Sequence, residues 1–256
     1  YSRQMPKTCP SCGGRQIRQL GMGTERLEEF VKESFPEARV LRWDAESTRE
    51  KGAHELILSH FSAHRADILI GTQMLAKGLD FPKVTLVGII LAELGLNLPD
   101  YRAGERAFQL LTQVAGRAGR SPLGGRVIMQ TYQPENSVIQ LAAKHDFNHF
   151  YRQELSYRRE LNYPPFSRLT RLLIQESNSA LAQSKAETLT AELNQKIVVM
   201  GLKRTTIIGP SPCYYEKRAG KFRWQLIVRG PNPNLILEDV PLREGLVIEP
   251  NPPDLL

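Results

Sequence analysis

From about residue 16 to residue 131, short β-rich apolar runs alternate with amphipathic helical stretches, which leaves few folds open. A strand that returns by way of a helix re-enters its sheet in parallel, so the pattern reads as an α/β layer, a parallel sheet with flanking helices. RQIRQL (15–20) is the first expected strand. Thr24 is positioned to cap a helix whose Leu27, Phe30, Val31 and Phe35 share a face. RVLRW (39–43) follows as a strand and 47–64 as a second helix. ADILIG (66–71) and VTLVGII (84–90) are apolar runs of the fully buried kind, expected in the sheet centre. Helix 102–115 places Ala103, Ala107, Leu110, Leu111 and Val114 on one side, and GGRVIMQT (124–131) is the last strand of the layer.

A helical stretch over 136–161 leads into Tyr163-Pro164-Pro165-Phe166, where two prolines forbid further helix and mark a domain boundary. Beyond it SRLTRLLIQ, TTIIG, FRWQLIVRG and GLVIE read as strands and 179–200 as one amphipathic helix, a small α+β unit. The length of 256 residues agrees with about two domains. The organisation is therefore a short cysteine-bearing segment (1–14), an α/β domain (15–161) and an α+β domain (162–256). With 41% hydrophobic and 24% charged residues the chain should fold. It has no apolar run long enough for a membrane helix, and its first residues lack a secretion signal. The net charge of +7 suits a polyanion and suits plain solubility equally. Three cysteines are too few for a disulfide scaffold and fit a reducing cytosol.

The sharpest motif is QVAGRAGR (113–120), in which Gln113, Arg117 and Arg120 form a Q-x-x-G-R-x-x-R pattern ending an amphipathic helix. Phosphoryl transfer needs fixed positive charge on the developing γ-phosphate oxygens, and a guanidinium supplies it without losing its proton. Gly116 and Gly119 remove bulk that would keep those groups from a facing surface. The plainer reading is a solvated basic helix end closed by a glycine. Upstream, ILIGTQMLAKGLDFPKV (68–84) breaks from a buried strand into a polar loop carrying Thr72, Gln73, Lys77, Gly78 and Asp80. Ligands bind at such strand exits. Lys77 precedes Gly78, so the loop is no G-x-x-x-x-G-K-[ST] phosphate cradle. Arg26 stands where a G-x-G-x-x-G begun by Gly21 and Gly23 needs its third glycine.

GMGTERLEE (21–29), ILIGTQMLAKGLDFPKV and QLLTQVAGRAGR resemble motifs IV, V and VI of superfamily 2 helicases, in order and spacing. More narrowly, CPSCGG, GTQMLAKGLDFPKVTLV, NLPDYRAGERAFQLLTQVAGRAGR, YPPF and GPSPCYYEKRAGKFRWQLIVRG resemble the PriA family, the primosomal protein N′ helicases, over nearly the whole chain. The resemblance implies a RecA-like helicase lobe 2 followed by a smaller α+β C-terminal domain, the C-terminal half of a longer parent. The implied activity is ATP-dependent 3′→5′ unwinding at stalled forks in the bacterial cytoplasm, at the nucleoid. It implies that Gln113, Arg117 and Arg120 complete an ATP site, the two arginines as finger candidates, with Gly78 and Asp80 near the nucleotide. Gly23, Thr24, Thr72 and Gln73 would face the DNA backbone. ATP with Mg²⁺ would be held mostly by a first lobe that carries the Walker lysine.

Cys9-Pro-Ser-Cys12 is a knuckle suited to zinc, although tetrahedral Zn²⁺ takes four ligands; a pair of surface thiols is the other reading. The resemblance places further cysteine pairs upstream, which makes Cys9 and Cys12 half of a site that Tyr1 enters part-way. His54, His60, His64, His145 and His149 fall on expected helices and read as structural or surface residues.

In the last domain Lys217, Lys221 and Arg223, with Arg218 and Arg229, surround Tyr214, Tyr215, Phe222 and Trp224, a mixture that can neutralise phosphates and stack on bases. Strand alternation puts Phe222, Trp224, Leu226 and Val228 on one face, expected in the core. The resemblance assigns this domain to forked and single-stranded DNA and to primosome proteins and single-stranded DNA-binding protein. Two departures stand out: only Glu93 is acidic in Leu91-Ala92-Glu93, where the family carries an acidic pair, and PNPNLILEDVPLRE leaves little room for another long helix. A non-catalytic fork-binding scaffold with a degenerate motor is the alternative function. A zinc-ribbon module without motor ancestry would leave Gln113, Arg117 and Arg120 unexplained.

Overall fold

A helix, Thr24–Ser34 (α1), and a strand, Val40–Trp43 (β1), open the α/β part of the chain, and Ala53–Ser62 (α2) with Ile68–Gly71 (β2) repeats the pattern. β1 and β2 pair in parallel, Val40 opposite Ile68 and Trp43 opposite Gly71. Leu86–Ile89 (β3), Ala103–Ala118 (α3) and Arg126–Met129 (β4) follow, with β3 and β4 also parallel and in register from Leu86–Arg126 to Ile89–Met129. The computed structural model describes residues 6–9, 11–15, 23–49, 52–72, 81, 83–118, 124–241 and 243–256. Residues 16–20 of the expected first strand lie outside these.

Several expectations for this part change. Thr24 is the first helical residue of α1 and caps nothing; the N-cap is Gly23, and the Thr24 hydroxyl instead donates to the Asp44 carboxylate. Phe30 and Phe35 are exposed, so the apolar face of α1 is narrower than its spacing implied and centres on Leu27 and Val31. The second helix starts at Ala53 rather than 47, because Asp44 draws residues 44–48 into a turn: its Oδ1 accepts from the amides of Glu46 and Ser47, and its carbonyl accepts from Thr48 Oγ1. β3 is not buried on both faces. Leu86 is 58% exposed, and exposure alternates along the strand, as one covered face dictates. Among the described residues, β2 and β3 belong to separate parallel pairs rather than to one sheet centre.

Ser137–Ala143 (α4) and Phe147–Glu160 (α5) replace the single stretch expected over 136–161. The break is chemical. Asn136 caps α4 through Val138 N, Asp146 caps α5 through His149 N, and His145 between them has a positive φ of 52°. His145, and likewise His64 with φ 55°, therefore sit at helix ends instead of on helices.

The last part is an antiparallel sheet in the order β6-β7-β5-β8, built from Arg168–Glu176 (β5), Thr206–Arg218 (β6), Lys221–Gly230 (β7) and Leu246–Pro250 (β8). The helix Ser179–Val199 (α6), capped by Asn178, buries Ala182, Ala186, Leu189 and Leu193 against one sheet face, where they meet Leu172, Ile174, Leu226 and Val228. The opposite face is covered as well: Leu169 and Ile227 pack with Tyr101 and Leu255. Double cover explains why β5 is buried almost continuously although the sheet is antiparallel. A single 3₁₀ turn, Pro233–Ile236, occupies the short segment before β8.

The chain forms two compact units that do not follow its order. One comprises residues 94–106 and 146–256; the other, the described residues up to Glu93 together with 107–145. Residues 146–161, placed by the proline pair at the end of the first domain, thus cluster with the C-terminal unit.

Candidate functional site

In the α/β unit the carboxyl edge of the β1–β2 pair gathers the first group of residues. Because Trp43 lies opposite Gly71, the next residues, Asp44 and Thr72, leave the sheet side by side, Thr72 exposed. Asp44 was missed by motif reading. Its carboxylate, 5% exposed, is held at about 2, below its ordinary value, by the Ser47 amide first and the Thr24 hydroxyl second. Arg42 lies beneath four carboxylates: Glu25 at 3.1 Å, Glu28 and Asp44 at 3.4 Å and Glu46 at 3.7 Å. The usable signal was Asp-x-Glu-Ser-Thr directly after a strand, an Asx-turn sequence. Gly23 is exposed at the α1 N-terminus, where no side chain caps the helix, while Thr24 is engaged by Asp44. Gln73, Gly78 and Asp80 lie outside the described residues.

α3 carries the second group. Its buried stripe runs through Ala107, Leu111, Ala115 and Ala118. At 100° per residue Gln113 falls on the opposite side and is exposed, while Arg117, one turn on, lies at the flank of the stripe, half-buried with its Nε shielded from solvent. The end of α3 packs so closely on the chain entering β4 that a Cβ at Gly125 would lie 1.8 Å from the Ala118 carbonyl oxygen. Arg120 lies outside the described residues. Glu93, singled out for its missing acidic neighbour, is a tie rather than a free carboxylate: it accepts from Thr131 Oγ1 at 2.7 Å and from the Tyr132 amide at 3.1 Å, joining the exits of β3 and β4.

Cys9 and Cys12 stand on a tight turn closed by Cys9 N to Gly14 O and Gly13 N to Cys9 O, both 2.8 Å. Amide donation from Cys12 and Ser11 lowers the Cys9 thiol from its ordinary value. The turn, with Gly13 at φ 71°, presents two sulfurs as a metal knuckle does, but among the described residues no third ligand joins them.

In the C-terminal unit β6 is longer than TTIIG and runs to Arg218, so the basic and aromatic residues lie on a β6–β7 hairpin. Lys217 and Lys221 are exposed near its tip, with Lys217 Nζ 4.7 Å above the Phe222 ring. Arg223 is not with them. It is 6% exposed and turned inward, its Nη1 3.5 Å from the Tyr215 carbonyl. Trp224 packs against the α6 side of the core, as alternation required.

Residues 14–122 match the helicase conserved C-terminal domain, and residues 159–239 match the primosomal protein N C-terminal domain. The replication restart protein PriA of Bacillus subtilis (strain 168) is 44% identical over 229 residues, 90% of this chain and 28% of that protein. The chain belongs to the PriA family. PriA of Synechocystis sp. is 41% identical over 232 residues, covering 91% of this chain and 27% of the relative. That of Chlamydia trachomatis is 38% identical over 240 residues, covering 93% and 31%. The chain thus spans about a third or less of the length of these PriA proteins. The α/β unit is the RecA-like lobe 2 part and the antiparallel unit the PriA C-terminal part.

Proposed function

We propose that this chain supplies the second motor lobe and the C-terminal DNA-binding domain of an ATP-dependent 3′→5′ DNA helicase. That helicase acts at stalled or repaired forks in the bacterial cytoplasm, at the nucleoid, and restarts replication by loading a primosome. The observation that carries the reading is the position of Gln113 on the open side of α3 with Arg117 one turn on at its flank, within a helicase-type domain joined to a PriA C-terminal one. An exposed amide and a guanidinium one turn apart suit a polyphosphate approaching from outside the unit. Mg²⁺-bound ATP would supply the γ-phosphoryl group for transfer to water. Arg117 and Arg120 would then place fixed charge on that group, with Gln113, Gly78 and Asp80 orienting it. Thr72, Gln73 and the α1 N-terminus at Gly23 and Thr24 would meet phosphates of the tracked strand, the Thr24 side chain acting by anchoring that end of α1 to Asp44. Lys217 and Lys221 would neutralise phosphates in the C-terminal unit, and Cys9 with Cys12 would give two of four ligands to Zn²⁺. Primosome proteins and single-stranded DNA-binding protein are the partners this reading entails.

The test has two arms. The sequence holds no G-x-x-x-x-G-K-[ST] motif, so the 256-residue chain alone should show no DNA-stimulated ATP hydrolysis. Joined to a family first lobe that has one, it should hydrolyse ATP, and Arg120→Ala should lower turnover about a thousandfold or more with DNA binding retained. No stimulated turnover in the joined wild type would favour the scaffold reading. Unchanged turnover in Arg120→Ala would remove that arginine from the mechanism.

A further inference from the structure

The β6–β7 hairpin departs from regular pairing at two places, between Ile208 and Ser211 and, more strongly, between Pro212 and Lys217. Pro212 pairs with Trp224 and Lys217 with Phe222, so the four residues 213–216 stand opposite the single residue Arg223. Such a bulge breaks strict alternation. Cys213 is buried, but the next two side chains, Tyr214 and Tyr215, both point to solvent, 52% and 59% exposed. Their rings meet edge to face, 5.0 Å apart at 80°, an arrangement that braces both yet leaves open ring faces. Arg223 lies beneath the bulge with its guanidinium toward the Tyr215 carbonyl, which gives this buried cation a positioning role. Beside the rings the tip exposes Lys217, Arg218 and Lys221 against one acid, Glu216.

We infer that Tyr214 and Tyr215 form a stacking platform for unpaired bases of single-stranded DNA, with Lys217, Arg218 and Lys221 holding the adjoining phosphates. This rests on the reading of the C-terminal unit as DNA-binding and names the part of the DNA it recognises. Trp224 of the same hairpin packs on the core while the two neighbouring tyrosines stay outside it, and open aromatic faces beside cations match the chemistry of a base and its phosphate. A duplex, whose bases are already stacked, offers the rings nothing.

The experiment is fluorescence anisotropy of the 256-residue chain with a labelled dT12 and with an abasic 12-mer of equal phosphate number, over a range of salt. The wild type should bind dT12 at least about fivefold more tightly, the effect of stacking one base. Tyr214→Ala with Tyr215→Ala should abolish that preference while leaving abasic binding and the salt slope unchanged. Tyr214→Phe with Tyr215→Phe should keep the preference, because the ring faces remain. Lys217→Ala with Lys221→Ala should weaken both probes alike and flatten the salt slope. Equal binding of the two probes by the wild type, or a preference that survives the double alanine variant, overturns the platform and leaves the DNA-binding reading intact. Binding of neither probe overturns both and points the hairpin toward an acidic protein partner instead.

Discussion

Asp44 turns the end of β1 into a site, because a single carboxylate accepts from two amides of its own turn, from the α1 threonine and, across 3.4 Å, faces Arg42. Its folded value of about 2 lies below the ordinary 3.8, so the folded state holds the proton less tightly than the unfolded chain does. The stability this confers is fully present above about pH 4 and is lost as pH falls from there toward 2. The carboxylate is shielded yet close beneath the surface, which limits the contribution to about 1 kcal/mol. Asp44→Asn should therefore be less stable than the parent by about that amount at pH 6, with the gap narrowing below pH 4. Urea unfolding at pH 6 and pH 3 measures it; a gap of the same size at both would show that the charge is not responsible. Residue identity was readable in the sequence only where one face of an element decides it. The apolar side of α3 emerged in this way, with Ala103, Ala107 and Leu111 buried as helical spacing places them. Arg223 did not, because alternation says which residues share a face of β7 but not that four residues of β6, 213–216, stand opposite Arg223 and fold over it.

Among elements, α3 has the firmest seat and the least room. Ala118 is 1% exposed, and the chain turning into β4 passes so near that Gly125 has no space for a side chain. Gly125→Ala would drive a methyl into the Ala118 carbonyl, so either β4 or the last turn of α3 must shift. A loss of about 3 kcal/mol is expected, at the upper end of overpacking. Because Arg117 sits in that turn, the same variant in the joined enzyme should lose ATP turnover. Thermal melting with helicity followed at 222 nm checks the first effect, and an unshifted transition would contradict the clash. Strands β2, β5, β7 and β8 and helix α6 were legible because each is an apolar run or periodic face with Gly, Pro or Asn at or near an end. What stayed hidden were local hydrogen bonds that override periodicity. The Asp44 turn delays α2, and the Asp146 cap splits α4 from α5 although apolar spacing continues across the break. The exposure of β3 was hidden for another reason: an apolar run tells how sticky a strand is, not how many neighbours it has.

At the scale of the whole chain, sequence order and packing disagree, and Asp100 is where the disagreement is enforced. The segment 94–106 precedes α3 in a region that motif order assigns to the motor lobe, yet it belongs to the C-terminal unit. Asp100 Oδ2 accepts the Leu255 amide at 3.1 Å and meets Arg106 Nη1 at 3.3 Å, while Arg102 and Arg106 donate to the Pro253 carbonyl. Tyr101 stacks on Tyr163 at 5.0 Å, with Arg158 over the same ring and ion-paired to Glu105. No local pattern could announce the bonds to Pro253 and Leu255, which join residues about 150 apart in sequence. The Asp100 side chain is fully buried whereas Arg106 is 40% exposed, so the two partners are not equivalent. Asp100→Ala leaves the buried Leu255 N–H without its acceptor and should cost about 3 kcal/mol in urea unfolding. Arg106→Ala, losing a solvent-screened ion pair, should cost about 1 kcal/mol or less. Hydrogen exchange at the Leu255 amide should accelerate in the first variant well beyond the second. Equal losses in the two variants, or unchanged protection of Leu255 in Asp100→Ala, would mean that apolar packing of Tyr101 and Leu255 holds residues 94–106 in the C-terminal unit without help from the buried carboxylate.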